Sequence, residues 1–169
     1  MKKIGFGIFS WNANERRSNR YGSFGLHQSD YNNKVKAVTD VSKDVCQEMI
    51  GKRVHITCKV IESRESSHFG DMFLQILPTK PDVGEIVDLG VGIFDLLEDE
   101  GVAITIVLKP GDNRKELWID PRKLYRLHDQ TVEVYAEETS DDFTPVADLN
   151  SAEEGAISNG DGSFQVKGG

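Results

Sequence analysis

The sequence predicts a mainly β domain that closes into a small barrel with two or three short helices. Residues 53–62 alternate apolar and polar side chains, and residues 102–108 are rich in β-branched ones, as strands are. Two prolines within residues 78–84 interrupt the pattern, because proline cannot sit in a central ladder. Beyond the barrel no hydrophobic period remains. We therefore expect a barrel domain over residues 1–136 and a disordered acidic tail over residues 137–169.

The first third of the chain predicts a strand, a long loop and a helix. KIGFGIFSW, residues 3–11, is expected to form a strand in which the glycines allow another backbone to approach closely. Residues 12–33 are polar and predict a loop, and a loop of this length is usually functional or disordered. Apolar residues at four-residue spacing predict a helix over residues 40–50, with Asp40 or Ser42 as its cap.

The rest of the predicted barrel consists of short strands and two helical stretches. Four further strands are predicted, at residues 71–77, 85–89, 115–120 and 130–137. VGIFDLLE, residues 91–98, has a helical spacing that would turn Leu97 inward together with either Phe94 or Ile93. Pro121 favours the start of another helical turn in PRKLYRLH, since the first helical position tolerates proline. The last two strands are expected to form an extra C-terminal β-hairpin.

Charge is distributed unevenly along a chain whose formal net charge is −8. Residues 1–60 carry 11 Lys+Arg against 5 Asp+Glu, whereas residues 129–169 carry 1 against 10. A basic head and an acidic tail can attract each other, or the head can bind an anion for which the tail competes.

The composition disfavours several classes of protein. No apolar run approaches the roughly 20 residues of a membrane-spanning helix, and the N-terminus predicts no signal peptide. We expect synthesis in the cytoplasm, with release by lysis or in a virion if the protein acts outside a cell. Cys46 and Cys58 are expected to be reduced, structural thiols. Without a CxxC pair, a histidine cluster or a phosphate-binding signature, no metal and no cofactor is expected.

The stretch from Gly84 to Ile106 carries the most specific pattern in the sequence. GEIVDLGVGIFDLL is followed by an acidic turn with a glycine and then by VAITI. This order resembles the double-psi β-barrel of the rare lipoprotein A and expansin families, in which a strand, a D-L-S motif, a short helix with an aromatic and a V-x-V-x-V strand close the barrel. The resemblance covers about residues 4–108 and implies a six-stranded double-psi barrel.

The resemblance places Asp88 at a polysaccharide-binding groove, where the family's aspartate serves as the general acid. Other positions depart from the family pattern. Asn12 stands where the hydrolytic relatives carry an aspartate, and Gly90 replaces the serine of D-L-S. Residues 77–81 lack a further aspartate of rare lipoprotein A, and residues 45–51 lack its histidine. The resemblance therefore implies a peptidoglycan-type glycan-binding barrel that is at most lytic-transglycosylase-like, since that reaction can proceed with one acid.

Each candidate side chain also has an ordinary structural interpretation. Asp88 can be the N-cap of the helix predicted at residues 91–98 instead of a catalytic acid. Asp71 is a second candidate catalytic carboxylate, with His68 nearby in the same turn, or else both belong to a solvated turn. His55 is interpreted as an ordinary strand histidine.

Aromatic and basic residues around the first loop are the remaining candidates for ligand binding. Trp11 and Tyr21 could place flat ring faces under a sugar or a base. Phe9 is expected in the core, and either Trp11 or Tyr21 is expected to be more exposed to solvent. The loop arginines beside them suit a phosphate or a single strand. The predicted ligand-binding residues are Trp11, Asn12, Arg16, Arg17, Arg20, Tyr21 and His68.

Two other functions remain open from the sequence. The basic loop, residues 12–36, could bind nucleic acid, a nucleotide or an acidic protein partner in an intracellular module without enzymatic activity. The second open function is that of a phage structural or interaction protein. Binding of a polysaccharide by stacking should change little with salt, whereas phosphate binding should weaken steeply.

Overall fold

In the part of the chain that the computed structural model describes, strands predominate and two short helices are present. The described residues are 1–11, 23–29, 39–65, 79–97, 104–109, 119–144, 157–158 and 163–164. Their elements are β1 (Lys2–Ser10), β2 (Ser23–His27), β3 (Asp40–Val41), α1 (Lys43–Met49), β4 (Arg53–Glu62), β5 (Ile86–Leu97), β6 (Ile104–Lys109), α2 (Pro121–Leu127), β7 (Thr131–Glu138), β8 (Ile157–Ser158) and β9 (Ser163–Phe164). The short strands β8 and β9 pair with each other.

Six strands close into an antiparallel barrel. They pair in the order β2-β6-β5-β4-β7-β1, and β1 pairs with β2 to complete the circle. β1 can do so because Ile8 lies opposite both His27 of β2 and Thr131 of β7. β3 adds a further strand beside β1. The prediction of a mainly β, six-stranded barrel is thus confirmed.

Apolar side chains fill the barrel and alternate with polar ones along the strands. On β4, Val54 and Ile56 point inward and are fully buried. Burying a side chain of this size contributes about 1.5–3 kcal/mol. The same alternation leaves His55 and Thr57 on the outer surface of β4, where they are only partly buried.

Both cysteines are buried free thiols. Cys46 lies on the buried face of α1, and Cys58 lies within β4. Burial raises the pKa of the Cys46 thiol to about 11 and also raises the pKa of Cys58. Thiols that stay protonated at neutral pH react poorly, so the prediction of structural cysteines is confirmed.

Two of the predicted helices are present. α1 begins after Ser42, whose side chain caps it, and Gly51 follows its end with φ +83°. α2 begins with Pro121, and the N-cap residue Asp120 accepts a hydrogen bond from the backbone N–H of Arg122.

The helix predicted over residues 91–98 is wrong, because this stretch belongs to the long strand β5. β5 pairs with β4 along its first part and with β6 along its second part. Leu89 is an extra residue in the register against β4, and this β-bulge changes which side chains face inward. Val87 and Leu89 are buried before and at the bulge, and Phe94 is buried after it, so the apolar positions no longer follow a single period of two.

β7 is a barrel strand rather than part of an added hairpin. It pairs with β4 on one side and with β1 on the other. Its expected partner at residues 115–120 lies mostly outside the described residues, and the strand predicted at residues 71–77 lies wholly outside them. β7 continues to Glu138, past the expected end of the domain, and residues 139–144 also contact the barrel.

An ion pair ties α2 to the start of β5. Arg126 Nη2 donates to Glu85 Oε1 at 2.9 Å, and Arg126 Nη1 contacts Glu85 Oε2. Arg126 Nε also donates to the Thr79 carbonyl at 3.1 Å. The hydrogen bonds from Arg126 hold the pKa of the Glu85 carboxyl below its usual value.

Replacing Glu85 by glutamine is expected to lower the free energy of unfolding by about 1 kcal/mol at neutral pH, because this pair is partly exposed to solvent. Glu85 has a lower pKa in the folded state, so its contribution is present above the unfolded-state pKa and is lost as pH falls through the folded-state value. Urea unfolding should show a wild-type advantage at about pH 7 that narrows towards about pH 3. Glu65→Gln, at an exposed position, is the control. An advantage that persists unchanged in acid would contradict this account.

Candidate functional site

Asp88 lies on the outer surface of the barrel, in β5, beside a histidine from β4. Its Oδ1 is 2.7 Å from His55 Nε2. The Asp88 side chain is 57% exposed and the His55 side chain 28%. Asp88 is directly opposite Thr57 in the antiparallel β4–β5 pairing. The pair is therefore held by the register of two neighbouring strands rather than by a loop.

The bulge in β5 gives Asp88 a second hydrogen bond. The backbone N–H of Gly90 donates to Asp88 Oδ1 at 2.8 Å. Gly90 has φ +106°, a left-handed value that glycine adopts at little cost. The expectation that Asp88 caps a helix is wrong, since residues 89–97, which follow it, continue the strand β5. The carboxylate instead accepts from the backbone two residues ahead, within a strand.

Exposed apolar side chains flank the Asp88–His55 pair. Ile86 precedes Asp88 by two residues, points to the same side of β5 and is 67% exposed. The Thr57 hydroxyl donates to Met1 Sδ at 3.5 Å, which brings the exposed side chain of Met1 over this part of the barrel. We call Asp88, His55, Thr57, Ile86 and Met1 together the Asp88 face.

Charged groups of both signs adjoin the Asp88 face. Lys123 Nζ of α2 donates to the backbone carbonyl of Asp88 at 2.7 Å. Glu137 of β7 lies opposite His55 across the β4–β7 pairing. Interspersed cations and anions create no strong field of one sign.

The arrangement offers a ligand hydrogen-bonding groups. An ionised carboxylate only accepts, whereas an imidazole can both donate and accept. Asp88 Oδ1 faces the Gly90 N–H and the His55 ring nitrogen. A general acid must instead carry a proton and aim it at the leaving oxygen. The pair can therefore hydrogen-bond to hydroxyl groups.

Trp11 does not present its ring to solvent. It is 5% exposed, and its ring packs edge-on against Tyr125 with centroids 4.6 Å apart. Its backbone N–H donates to His128 Nδ1 at 3.0 Å. Phe9 is buried, as expected. Either Trp11 or Tyr21 was expected to be exposed. Trp11 is buried, and Tyr21 lies outside the described residues.

Most other predicted site residues also lie outside the described part of the chain. They are Asn12, Arg16, Arg17, Arg20, His68 and Asp71. Their participation in ligand binding or catalysis stays a prediction.

The sequence interpretation missed His55, Thr57 and Lys123 as neighbours of Asp88. Alternation along RVHITCKVIE indicates that the first two share the outer face of β4. It does not indicate which residue of another strand they face, because that register depends on how the barrel closes.

Residues 139–144, which we call the clasp, contact the first residue of β4 and reach the bulge of β5. Arg53, the first residue of β4, donates to the Asp141 carbonyl at 3.0 Å. Its guanidinium also lies over the Phe143 ring, 4.1 Å from the centroid. Thr144 then hydrogen-bonds to the backbone of β5. This part of the expected tail therefore packs against the barrel beside Asp88.

Comparison with known proteins gives no relative from which a function could be transferred. No protein-family model matches this chain, and no curated protein and no solved structure matches it either. Within the described residues, no helix is long and apolar enough to cross a membrane. In the same part of the chain, no group of three or more His, Cys, Asp or Glu side chains could hold a metal ion.

Proposed function

We propose that this protein is a glycan-binding barrel whose ligand is a peptidoglycan-type polysaccharide. The Asp88–His55 pair carries the proposal. Asp88 and His55, 2.7 Å apart on an open strand face, each have one further side-chain atom, Oδ2 and Nδ1, that can hydrogen-bond to a neighbouring sugar hydroxyl. The exposed side chains of Ile86 and Met1 can cover the apolar faces of the sugar rings.

The resemblance to rare lipoprotein A and expansins supports the same proposal. The closed six-stranded barrel is compatible with a double-psi barrel. Asp88, the residue that matches the family's groove aspartate, is at the barrel surface and is not used as a helix cap. On this proposal the Asp88 face is the counterpart of the family's polysaccharide groove.

The proposed activity is binding rather than hydrolysis. Asp88 Oδ1 faces two potential donors, and Asn12 replaces the carboxylate that hydrolytic relatives carry after the first strand. Any cleavage would be of the lytic-transglycosylase type, with Asp88 as the one acid.

Co-sedimentation with purified peptidoglycan sacculi tests the proposal. Wild-type protein should pellet with sacculi to a similar extent at low and high salt. Asp88→Asn should bind about tenfold more weakly, because an amide group replaces one carboxylate acceptor by a donor. Asp82→Asn, which changes an exposed carboxylate in the turn before β5, is the matched control and should bind like wild type.

Two results would count against glycan binding. Equal binding by wild type and Asp88→Asn would remove Asp88 from the site. Binding that falls steeply with salt would point to a phosphate-bearing ligand of the basic loop instead. Mass spectrometry of the same supernatants for anhydro-sugar products separates binding from transglycosylase cleavage.

A further inference from the structure

The clasp hydrogen-bonds to the barrel at Val91, the residue that follows Gly90 in β5. The backbone N–H of Thr144 donates to the Val91 carbonyl at 3.0 Å. The backbone N–H of Val91 donates in return to Thr144 Oγ1 at 2.5 Å. These two hydrogen bonds join residues 53 positions apart in the sequence. They hold the side chain of Thr144 against the bulge.

Gly90 links these contacts to the Asp88–His55 pair. A Cβ placed on Gly90 would lie 2.3 Å from Thr144 Oγ1, so Thr144 occupies the space that a side chain would need. The N–H of Gly90 donates to the same Asp88 oxygen that faces His55. A continuous series of contacts therefore runs from Thr144 through Gly90 and Asp88 to His55.

We propose that Thr144 is a positioning residue for the Asp88–His55 pair. By binding Val91 on one side of Gly90, it holds the left-handed backbone of the bulge, and the Gly90 N–H then aims the Asp88 carboxylate at His55. The clasp is thus part of the site, although its sequence belongs to the acidic C-terminal region. The inference rests on the proposed function only for its effect on ligand affinity.

The side chain of Thr144 is the group to change, because Arg53 anchors the clasp independently. Arg53 holds the clasp through the Asp141 carbonyl and the Phe143 ring, so the clasp should remain near the barrel when the Thr144 hydroxyl is lost. Thr144→Val removes the acceptor of the Val91 N–H and keeps the shape of the side chain. Thr144→Ser keeps the acceptor.

Nuclear magnetic resonance of the His55 imidazole in the full-length protein tests the inference without any ligand. The chain has four histidines, so His55→Gln assigns the His55 signals and Asp88→Asn shows where they move when the carboxylate is lost. Thr144→Val should move them towards their positions in Asp88→Asn, and Thr144→Ser should leave them near wild type. Ser140→Ala, a clasp change that keeps the backbone carbonyls, is the control.

Sacculus binding by the same variants gives the functional readout. Thr144→Val should weaken binding about three- to tenfold, and Thr144→Ser should restore it, since one hydrogen bond of the site depends on the hydroxyl. If Thr144→Val does not fold, Thr144→Ala removes the same acceptor with a smaller side chain, and the His55 signals are compared in the same way.

Unchanged His55 signals in a folded Thr144→Val or Thr144→Ala protein would overturn the inference, because Thr144 would then only pack against the barrel. Wild-type protein that fails to bind sacculi would contradict the proposed function instead. In that case the His55 signals still decide whether Thr144 positions the pair.

Discussion

Replacing Phe94 by alanine should lower the free energy of unfolding by about 3–5 kcal/mol. The side chain is fully buried in the barrel core, in the middle of β5. Its backbone is also tied down, since Gly51 N donates to the Phe94 carbonyl at 2.9 Å and Phe94 N donates to the Lys52 carbonyl at 3.0 Å. The surrounding strands therefore cannot collapse easily into the space that the ring leaves.

Urea unfolding followed by circular dichroism measures this loss. Phe94→Leu, which keeps most of the volume, should cost roughly half as much or less. Phe6→Ala is the matched control, because Phe6 lies partly exposed on β1, where Lys3 Nζ is 5.1 Å from its ring centroid. It should cost about 1 kcal/mol. Similar losses for Phe94→Ala and Phe6→Ala would contradict the inward placement of Phe94.

Replacing Gly90 by alanine should both destabilise the barrel and weaken the proposed site. The left-handed φ of +106° costs an alanine about 1–3 kcal/mol. The new Cβ must also displace Thr144, whose hydroxyl oxygen would be 2.3 Å away. The clasp then moves, and the Gly90 N–H no longer points reliably at Asp88. We expect a loss of stability together with at least the tenfold loss of sacculus binding given for Asp88→Asn.

Gly84→Ala separates the two effects. Gly84 also has a left-handed φ, of +90°, but a Cβ there would meet nothing within 4 Å. It should therefore lose the stability that backbone strain costs and keep wild-type binding. Equal loss of binding in Gly84→Ala and Gly90→Ala would show that general destabilisation, and not the bulge, controls the site.

The parts of the fold that could be predicted are those whose pattern is local. β4 and β7 alternate cleanly, and α2 is marked by its N-cap Asp120 and by Pro121. β5 could not be predicted in full, because the extra residue Leu89 changes the phase of the alternation halfway along the strand. The position of β7 within the barrel could not be predicted either. Its two partners, β1 and β4, are distant in sequence and pair with it only when the barrel closes.

The candidate site was predictable to the same extent. Asp88 stood out because it follows a short apolar run and precedes a glycine-rich one. Its partner His55 could not be identified from the sequence, because neither segment alone determines the register between β4 and β5. Thr144 lies in a stretch whose acidic composition predicts disorder, and its contact with Gly90 joins segments that are far apart in the sequence.

The central claim is that the Asp88 face binds the glycan, and amide chemical shifts test it most directly. Isotope-labelled protein would be titrated with soluble peptidoglycan fragments. The account predicts the largest shifts at the backbone amides of His55, Asp88, Gly90 and Val91, and their absence in Asp88→Asn. Shifts that spare these amides, or that are confined to the basic loop of residues 12–36, would contradict it.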